Sequence, residues 1–331
     1  MYLQGNVWRK SAQKIIAFLN RLPDLDSKKL VVAFSGGMDS LFLLLALVDL
    51  QRKYGYEILP VHINHRLLPE DNLYADLANL ATLKLKIPCL IVESTLPVGK
   101  NNLEKKMRDE RYRLLRKIKK DHSADYIVVA HHANDQTETI FANLIRGCGV
   151  NGLRGMRGIN GDIIRPLLKI SKDDIRQAVL ATKFSYYEDR LNYDTQGRRN
   201  KIRRDLIPFI ERRTGADLTE VFLTLGENMT DLASFIAEEK NKIRKSIGLT
   251  GDRNIGYSFS RIKFTGLTVF WRREIIRDIF SSISGRIPSQ KDILKIDFWL
   301  EKGQLSELGF KNTLWKRSRD KKITVFGLSH S

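Results

Sequence analysis

The stretch KLVVAFSGGMDSLFLLLALVD, residues 29–49, decides the fold of this chain. Residues 30–34 form a short apolar run rich in β-branched side chains, which is too short for a helix and typical of a buried parallel strand. Ser35-Gly36-Gly37 ends the strand, and from Asp39 or Ser40 an apolar series begins that is long enough for a buried helix. This order predicts an anion-binding site, because glycines let backbone N–H groups approach an oxyanion and a helix N-terminus carries about half a positive charge.

Side chains in this loop suit a phosphate ligand that is accompanied by a metal ion. Ser35 and Ser40 offer hydroxyl donors, but the Gly-Lys-Ser/Thr of a Walker loop is missing. Asp39 stands where the Walker lysine would lie, and an acid among phosphate donors is repelled unless a metal ion joins it. We therefore expect Asp39 to be a Mg²⁺ ligand. A serine-glycine turn that binds nothing is the simpler alternative.

The hexapeptide Ser-Gly-Gly-Met-Asp-Ser resembles the pyrophosphate loop of N-type ATP pyrophosphatases, which activate a carbonyl or carboxylate with ATP as an adenylate. The resemblance implies that its residues bind ATP, namely Ser35, Gly36, Gly37, Met38, Asp39 and Ser40.

Composition and charge limit the class of protein. With 331 residues, 42% of them apolar and 29% charged, the chain is globular and longer than one typical domain. The formal net charge is +19, and both halves share the excess: residues 1–182 hold 28 basic and 19 acidic side chains, and residues 183–331 hold 29 and 19. Such a surface favours a polyanionic partner, RNA or DNA before membrane, with generic basicity as the alternative.

Cysteine use and apolar segments predict a cytoplasmic protein with no membrane partner. Cys89 and Cys148 are far apart and no Cys-x-x-Cys is present, which argues against an iron–sulfur cluster, a zinc ribbon or a disulfide framework. The N-terminal pattern is that of an amphipathic helix and not of a signal sequence. The apolar run at residues 41–48 is far shorter than the roughly 20 residues of a membrane span.

Beyond the first strand and helix, the two kinds of element alternate at short intervals. Strands are predicted at residues 57–64, 88–93 and 125–130, and helices at residues 67–86, 102–120 and 134–145. This alternation predicts right-handed crossovers and a doubly wound parallel sheet of the Rossmann-like α/β class. Such sheets bind ligands beyond the carboxyl ends of their strands.

Histidines and acids follow the predicted strands at that edge. Four histidines would suit zinc, but thiolate ligands are missing and neither histidine pair has the spacing of a zinc motif. We expect His62 and His131 to cap strands, and His65 and His132 to face the nucleotide. Asp135 and Glu138 lie three residues apart at a predicted helix N-terminus, so both carboxylates can lean toward one site. Simple N-terminal capping is the alternative for one of them.

Between Gly36 and Pro208 the chain resembles the tRNA(Ile)-lysidine synthetase family in the order and spacing of its motifs. Besides the pyrophosphate loop, the matching motifs are His62-x-Asn64-His65, Arg108-x-x-Arg111-Tyr112, His131-His132-x-x-Asp135-Gln136-x-Glu138-Thr139, Leu144-x-Arg146-Gly147-x-Gly149-x-x-Gly152-Leu153-x-Gly155-Met156, Arg165-Pro166-Leu167-Leu168 and Arg199-Asn200-x-Ile202-Arg203-x-x-Leu206-x-Pro208. The family usually has two adjacent acids before the glutamine, where this chain has Asn134-Asp135.

The resemblance implies a ligase reaction. ATP would adenylate the ring carbonyl oxygen of the wobble cytidine in an isoleucine tRNA with a CAU anticodon, and free L-lysine would displace AMP through its ε-amine. Mg²⁺ on Asp39, shared with Asp135, would neutralise charge on the departing pyrophosphate, and Glu138 or Asp135 would handle the lysine ammonium. Arg108 or Arg111 would hold the lysine carboxylate or the adenylate phosphate. The residues implied as catalytic are Asp39, Asp135, Glu138, His132, Arg108 and Arg111, and His65 joins the loop in binding ATP.

Two basic segments are candidate tRNA contacts. Glycines alternate with Arg146, Arg154 and Arg157 in residues 144–165, which predicts a flexible cationic loop just past the active edge. Residues 186–208 are polar, lack apolar periodicity and form the predicted connector, in which Arg199 and Arg203 are candidate RNA contacts. A solvated charge run is the alternative for the connector.

The C-terminal part has a different pattern. Helices are predicted within residues 206–247, 270–280 and 287–300, and residues 312–317 and 322–326 flank a turn, which predicts a β-hairpin. We expect an ATP-pyrophosphatase catalytic domain in residues 1–208 and a smaller, mainly helical tRNA-binding domain in residues 209–331. The end of the chain weakly resembles the small substrate-binding domain of the same family, and we expect no further domain. A homodimer is a candidate assembly.

Two other interpretations are open. Another pyrophosphate-loop enzyme, such as a tRNA thiolase or an amidating synthetase, would share the loop, but a thiolase would be expected to show paired or catalytic cysteines. A non-catalytic RNA-binding relative would be expected to have lost the acids Asp39, Asp135 and Glu138, which are intact.

Overall fold

The computed structural model describes residues 2–66, 71–94, 103–187, 198–302, 306–318 and 320–327. The chain divides into two compact units, Met1–Thr230 and Asp231–Ser331. Three predicted elements reach outside the described residues: the helices expected at residues 67–86 and 102–120, each at its start, and the connector at residues 188–197.

The first unit is built around a six-stranded sheet. Its strands are β1 (Lys29–Ala33), β2 (Glu57–Asn64), β3 (Leu90–Glu93), β4 (Tyr126–Val128), β5 (Ile159–Asn160) and β6 (Ile163–Ile164). The strand order is β3-β2-β1-β4-β6-β5; the first five strands in that order are parallel, and β5 runs antiparallel to β6. The chain reverses its direction across the sheet between β1 and β4, so the carboxyl ends of these two strands form the switch point where such sheets bind ligands.

Helices surround this sheet. They are α1 (Gly5–Leu19), α2 (Met38–Tyr54), α3 (Asp71–Lys84), α4 (Leu103–Asp121), α5 (Ala133–Ile145), α6 (Val150–Leu153), α7 (Lys172–Leu180), α8 (Arg198–Lys201) and α9 (Ile207–Thr214), with a π-helical turn at Ile202–Leu206 and with α10 (Leu218–Ser246) beginning in this unit.

Both faces of the sheet are covered, as the predicted doubly wound architecture requires. Successive residues of a strand point to opposite faces. Leu30 and Val32 of β1 accordingly belong to one core cluster with α1, α2 and α7, whereas Val31 packs with Leu115 and Ile118 of α4 in another. The predicted α/β sheet is therefore confirmed, with two additions, since the two-residue strands β5 and β6 were not predicted.

The first unit extends beyond the boundary predicted at Pro208. Leu218 and Phe222 of α10 are buried with Ile140 of α5, and the rings of Phe141 and Phe222 meet edge to face with centroids 5.7 Å apart. Because these apolar contacts tie α9 and the first turns of α10 to α5, the compact unit ends at Thr230. Helix α10 itself continues without a break to Ser246.

The second unit combines helices with an antiparallel sheet. After α10 it contains α11 (Arg261–Thr265), α12 (Val269–Ser284) and α13 (Gln290–Lys302), with strands β7 (Thr250–Asp252), β8 (Gly256–Ser260), β9 (Glu307–Phe310), β10 (Thr313–Arg317) and β11 (Lys322–Gly327) in the order β7-β8-β11-β10-β9. The predicted hairpin is confirmed as β10 and β11, where the fully buried Trp315 pairs with Val325. The other three strands of this sheet were not predicted.

Within the described ranges, no helix has both the length and the apolar character that crossing a membrane requires.

Candidate active site

The phosphate loop is a closed turn between β1 and α2. The Ser40 hydroxyl donates to Gly37 O (2.9 Å) and accepts from Ser35 N (3.2 Å), so it closes the turn from the first turn of the helix. Gly36 has φ +84°, a left-handed conformation that favours glycine, and a Cβ there would lie 3.0 Å from the ring of Tyr187. The six residues predicted to bind ATP thus share one ordered turn at the carboxyl end of β1.

Asp39 lies in the first turn of α2 and faces α5 and α7. Its Oδ1 is 2.5 Å from Lys172 Nζ, and its Oδ2 is 3.7 Å from His132 Nε2. The same imidazole nitrogen is 3.5 Å from Asp135 Oδ2. Asp39 and Asp135, which were predicted to share a metal ion, therefore flank one nearly buried histidine.

Lys172 was missed by the sequence analysis. Its partner Asp39 is 133 residues away in sequence, so no local pattern predicts the pair. The available signal was Ser171-x-x-Asp174, a helix-start pattern, which the structure uses when Ser171 caps α7.

The two acids of α5 are held by two arginines. Glu138 is 2% exposed; its carboxylate accepts a bond from Arg199 Nε at 2.7 Å and another from Arg203 Nε. Asp135 Oδ1 lies 3.0 Å from Arg199 Nη2 and 3.5 Å from Arg203 Nη2. The arginines predicted to contact tRNA thus neutralise the acids predicted to handle lysine, and we call these four residues the acid–arginine cluster.

Charge controls the protonation of this cluster. Burial alone would raise the pKa of Asp135, but the neighbouring charges of His132 and Arg199 outweigh it and lower the pKa to about 2. Burial alone would lower the pKa of Arg203, but its hydrogen bond and ion pair with Glu138 outweigh burial and raise it. Asp135 is therefore an anion at neutral pH, and Arg203 a cation.

His131 and His62 have structural partners. Burial lowers the pKa of His131 to about 3, so its ring is neutral at neutral pH and Nδ1 accepts from Arg165 Nε at 3.3 Å. His62 Nδ1 lies 3.1 Å from the carbonyl oxygen of Phe34, which joins the ends of β1 and β2. These contacts agree with the strand-capping roles expected for both histidines.

Two cavities adjoin the loop. The smaller one, about 270 Å³, lies over the carboxyl ends of β1, β2 and β4, and the predicted residues lining it are Ser35, Asp39, Ser40, His65, Arg108 and Arg111. The larger one, about 630 Å³, lies between the loop, α5 and α7, and the predicted residues lining it are Ser35, Gly37, Met38, Asp39, Ser40, Arg111, His132, Asp135, Glu138 and Arg203. The loop and Arg111 are common to both, so one ligand can reach both cavities from the loop.

The glycine-rich segment after α5 is more ordered than the flexible loop predicted for it. It contains α6, β5 and β6, and the amide of Gln136 donates to the carbonyls of Arg154 and Met156 (both 3.1 Å). Gly155 has φ +66°, and a Cβ there would lie 2.6 Å from Gln136 Oε1.

The three predicted tRNA-binding arginines of this segment lie away from the cavities. Arg146 and Arg157 are exposed and Arg154 is partly buried. Within the described part of the chain, none of them lines either cavity. They are available to a ligand larger than a nucleotide.

The carboxylates present suit a magnesium ion that arrives with a nucleotide. Among the described residues, no three His, Cys, Asp or Glu side chains are arranged as a complete metal site. Mg²⁺ bound with a phosphate substrate needs only one or two carboxylates, because phosphate oxygens and water complete its shell. Asp39 and Asp135 supply two carboxylates beside the loop, so the donor set fits Mg²⁺.

These features define a nucleotide-binding α/β domain whose phosphate loop carries an acid in place of the Walker lysine. A family model described as a PP-loop domain matches residues 8–210, and the chain belongs to this family.

Curated relatives of this chain include tRNA(Ile)-lysidine synthases from several bacteria. The one from Caldanaerobacter subterraneus is 34% identical over 221 residues, which are 64% of this chain and 45% of that protein. The one from Nostoc sp. is 37% identical over 191 residues, which are 56% of this chain and 55% of that protein. The chain thus spans about half the length of the curated relatives it matches.

Among solved structures, a U34-tRNA thiolase from Methanococcus maripaludis with its [4Fe-4S] cluster has a TM-score of 0.58 and 18% identity, over 68% of this chain and 80% of that one. At that identity, the likeness supports the fold alone.

Proposed function

We propose that this protein is a tRNA(Ile)-lysidine synthetase. It uses ATP to adenylate the wobble cytidine of an isoleucine tRNA with a CAU anticodon, and free L-lysine then replaces AMP to give lysidine. The observation that carries this proposal is that Asp39 of the pyrophosphate loop and Asp135 of α5 contact the same imidazole nitrogen of His132, in a chain whose curated relatives bear this name.

The first step needs charge stabilisation at the loop. The cytosine carbonyl is a poor electrophile, so its oxygen attacks the α-phosphorus of ATP, the bond from that phosphorus to the bridging oxygen breaks, and pyrophosphate leaves. Hydroxyl groups of Ser35 and Ser40 and the α2 N-terminus are positioned to stabilise the departing charge. Mg²⁺ held by Asp39 and Asp135 would neutralise part of the negative charge on the pyrophosphate.

In the second step, lysine must lose a proton. Its ε-amine has a pKa of about 10.4 in water, so it arrives as an ammonium group. The acid–arginine cluster already binds cations, which supports Glu138 and Asp135 as the ammonium site. A pKa of about 2 keeps Asp135 ionised, which suits ammonium or metal binding, and either acid of the cluster is a candidate for leading the lysine proton away.

The remaining predicted residues have positions that suit their roles. Arg108 and Arg111 line the smaller cavity and are candidates for holding the lysine carboxylate or the adenylate phosphate. His65 lines the same cavity, and His132 lies between Asp39 and Asp135, where it can order both carboxylates around the nucleotide.

The large partner in this proposal is tRNA. The net charge of +19 and the exposed Arg146 and Arg157 support phosphate contacts. Arg199 and Arg203 form ion pairs with Asp135 and Glu138, so they neutralise acids of the site. Their contact with tRNA stays a prediction. Binding of tRNA by residues 209–331, a cytoplasmic location and a homodimer stay predictions as well.

A thiolase is the less supported alternative. Burial raises the pKa of the Cys89 thiol to about 11, so Cys89 is a poor nucleophile at neutral pH. Cys148 is then the one cysteine left for sulfur chemistry, and no cysteine pair is available to it.

An assay of pyrophosphate and AMP release tests the proposal. Pyrophosphate release is expected to require a transcript of isoleucine tRNA with the CAU anticodon, and AMP release is expected to require L-lysine in addition. A transcript with a UAU anticodon is the matched control, because it lacks the wobble cytidine. The proposal would be contradicted by equal pyrophosphate release with both transcripts, or by equal AMP release with and without L-lysine.

A further inference from the structure

Lys172, at the start of α7, has a backbone that is fixed beside the phosphate loop. Ser171 is the N-cap of this helix, and Lys172 N donates to Asn134 Oδ1 at 2.8 Å. Two residues before Lys172, Ile170 O accepts from Ala133 N at 2.9 Å. The start of α7 is therefore joined to the start of α5, and the lysine side chain extends from a defined point.

The Lys172 side chain reaches the acid of the loop but is not locked there. Its Nζ lies 2.5 Å from Asp39 Oδ1, and the two side chains are 38% and 32% exposed. Ion pairs this accessible to solvent contribute little to stability, so little free energy opposes a change of partner. Lys172 also lines the larger cavity together with Ser35, Gly37 and Ser40 of the loop.

The loop needs a cation that its own sequence does not supply. The one charged side chain in Ser35–Ser40 is Asp39, and a triphosphate brings several negative charges. The larger cavity is lined by the basic side chains of Arg111, Lys172, Arg203 and Arg204. Arg203 is engaged by Asp135 and Glu138, whereas Lys172 is bound to the acid that a metal ion would occupy. Once Asp39 binds Mg²⁺, the ammonium group loses this partner, and phosphates bound in the loop would lie in the cavity that Lys172 lines.

We propose that Lys172 is the pyrophosphate-binding cation of this site. It neutralises Asp39 while the loop is empty and turns to the β- and γ-phosphates when ATP and Mg²⁺ bind. In Walker proteins a lysine within the loop binds these phosphates. In this protein the lysine belongs to a separate helix, α7. When the bond from the α-phosphorus to the bridging oxygen breaks, its electron pair stays on the β-phosphate, and the ammonium group balances that charge. The inference rests on one part of the proposed function, the use of ATP, and makes no assumption about tRNA or lysine.

Nucleotide affinity, measured by calorimetry with Mg²⁺ present, tests this inference without turnover. The full-length Lys172→Met protein is expected to bind a non-hydrolysable ATP analogue about tenfold or more weakly than wild type, and to bind AMP within about twofold of wild type. Lys172→Arg should recover most of the lost affinity. Lys169→Met is the matched control, since Lys169 pairs with the exposed Glu227 at 2.5 Å and does not line the cavity.

Two results would overturn the inference. One is unchanged or tighter binding of the analogue by Lys172→Met. The other is an equal loss for AMP and the analogue, which would mean that Lys172 only positions α7. Thermal melting checks that each variant is folded, and Lys172→Gln provides the same comparison if the Met variant does not fold.

A failure of this inference can be told apart from a failure of the proposed function. If the wild type makes no lysidine but Lys172→Met selectively loses the analogue, the function fails and the inference stands. If the wild type makes lysidine and Lys172→Met binds the analogue normally, the inference fails alone.

Discussion

Glu138→Gln tests whether the acid–arginine cluster holds residues 198–206 against α5. The substitution keeps the size of the side chain but removes the charge that faces Arg199 and Arg203. Asp135 remains as the only acid of the cluster, so both guanidinium groups lose their principal partner.

The expected cost follows from the geometry. A hydrogen bond between charged groups contributes about 1.5–3 kcal/mol, and Glu138 makes such bonds with two arginines. These arginines are 35% and 39% exposed, so solvent screens them and compensates part of the loss. We expect the free energy of unfolding to fall by about 1–3 kcal/mol.

Urea denaturation measures this difference. Glu227→Gln is the matched control, because Glu227 forms a single pair with Lys169 in which both side chains are more than half exposed. The control is expected to change stability by less than about 0.5 kcal/mol. If Glu138→Gln is as stable as the control, the cluster does not stabilise the first unit and its arginines are held there by something else.

Three further predictions follow from the loop, the glycine-rich segment and the unit boundary. Asp39→Asn should abolish pyrophosphate release while leaving the fold and tRNA binding nearly unchanged, and near-wild-type turnover at saturating Mg²⁺ would contradict its role as a metal ligand. Gly155→Ala should lower the free energy of unfolding by about 1–3 kcal/mol, because φ is +66° and the Cβ would meet Gln136; a melting temperature equal to wild type would refute this. A chain ending at Thr230 should melt at a higher temperature than one ending at Thr214, and in filter binding it should show weaker tRNA affinity and a shallower salt dependence than the full chain. Equal melting temperatures of the two shortened chains would show that residues 215–230 do not stabilise the first unit. A salt dependence equal to that of the full chain would contradict tRNA binding by the second unit.

Local pattern was enough to predict the sheet and the loop. The run at residues 30–34 is apolar on both faces because β1 is buried on both faces, and the glycines after it are required by a turn with a positive φ at Gly36. The acids Asp39, Asp135 and Glu138 could be placed near one another because parallel strands bring their carboxyl ends to one edge.

Pairings between distant residues could not be predicted in this way. The bond from Lys172 to Asp39 and the bonds from Arg199 and Arg203 to Glu138 join segments that are 61 to 133 residues apart, and a basic residue in a polar segment looks the same whether it meets RNA or a buried acid. The strands β5 and β6, of two residues each, are too short to show alternation. The compact unit ends at Thr230, inside α10, and the continuous helical periodicity of α10 gives no sign of that position in the sequence.

The central claim is that this protein converts one cytidine of a tRNA into lysidine, and mass spectrometry of nucleosides tests it most directly. Isoleucine tRNA transcript with the CAU anticodon is incubated with the protein, ATP, Mg²⁺ and isotopically labelled L-lysine, and is then digested to nucleosides. We expect one cytidine per tRNA to become a nucleoside that is heavier by lysine minus one water and carries the label, and we expect this nucleoside to be absent with Asp39→Asn. Unmodified cytidine alongside ATP consumption, or a sulfur-containing nucleoside in place of lysidine, would contradict it.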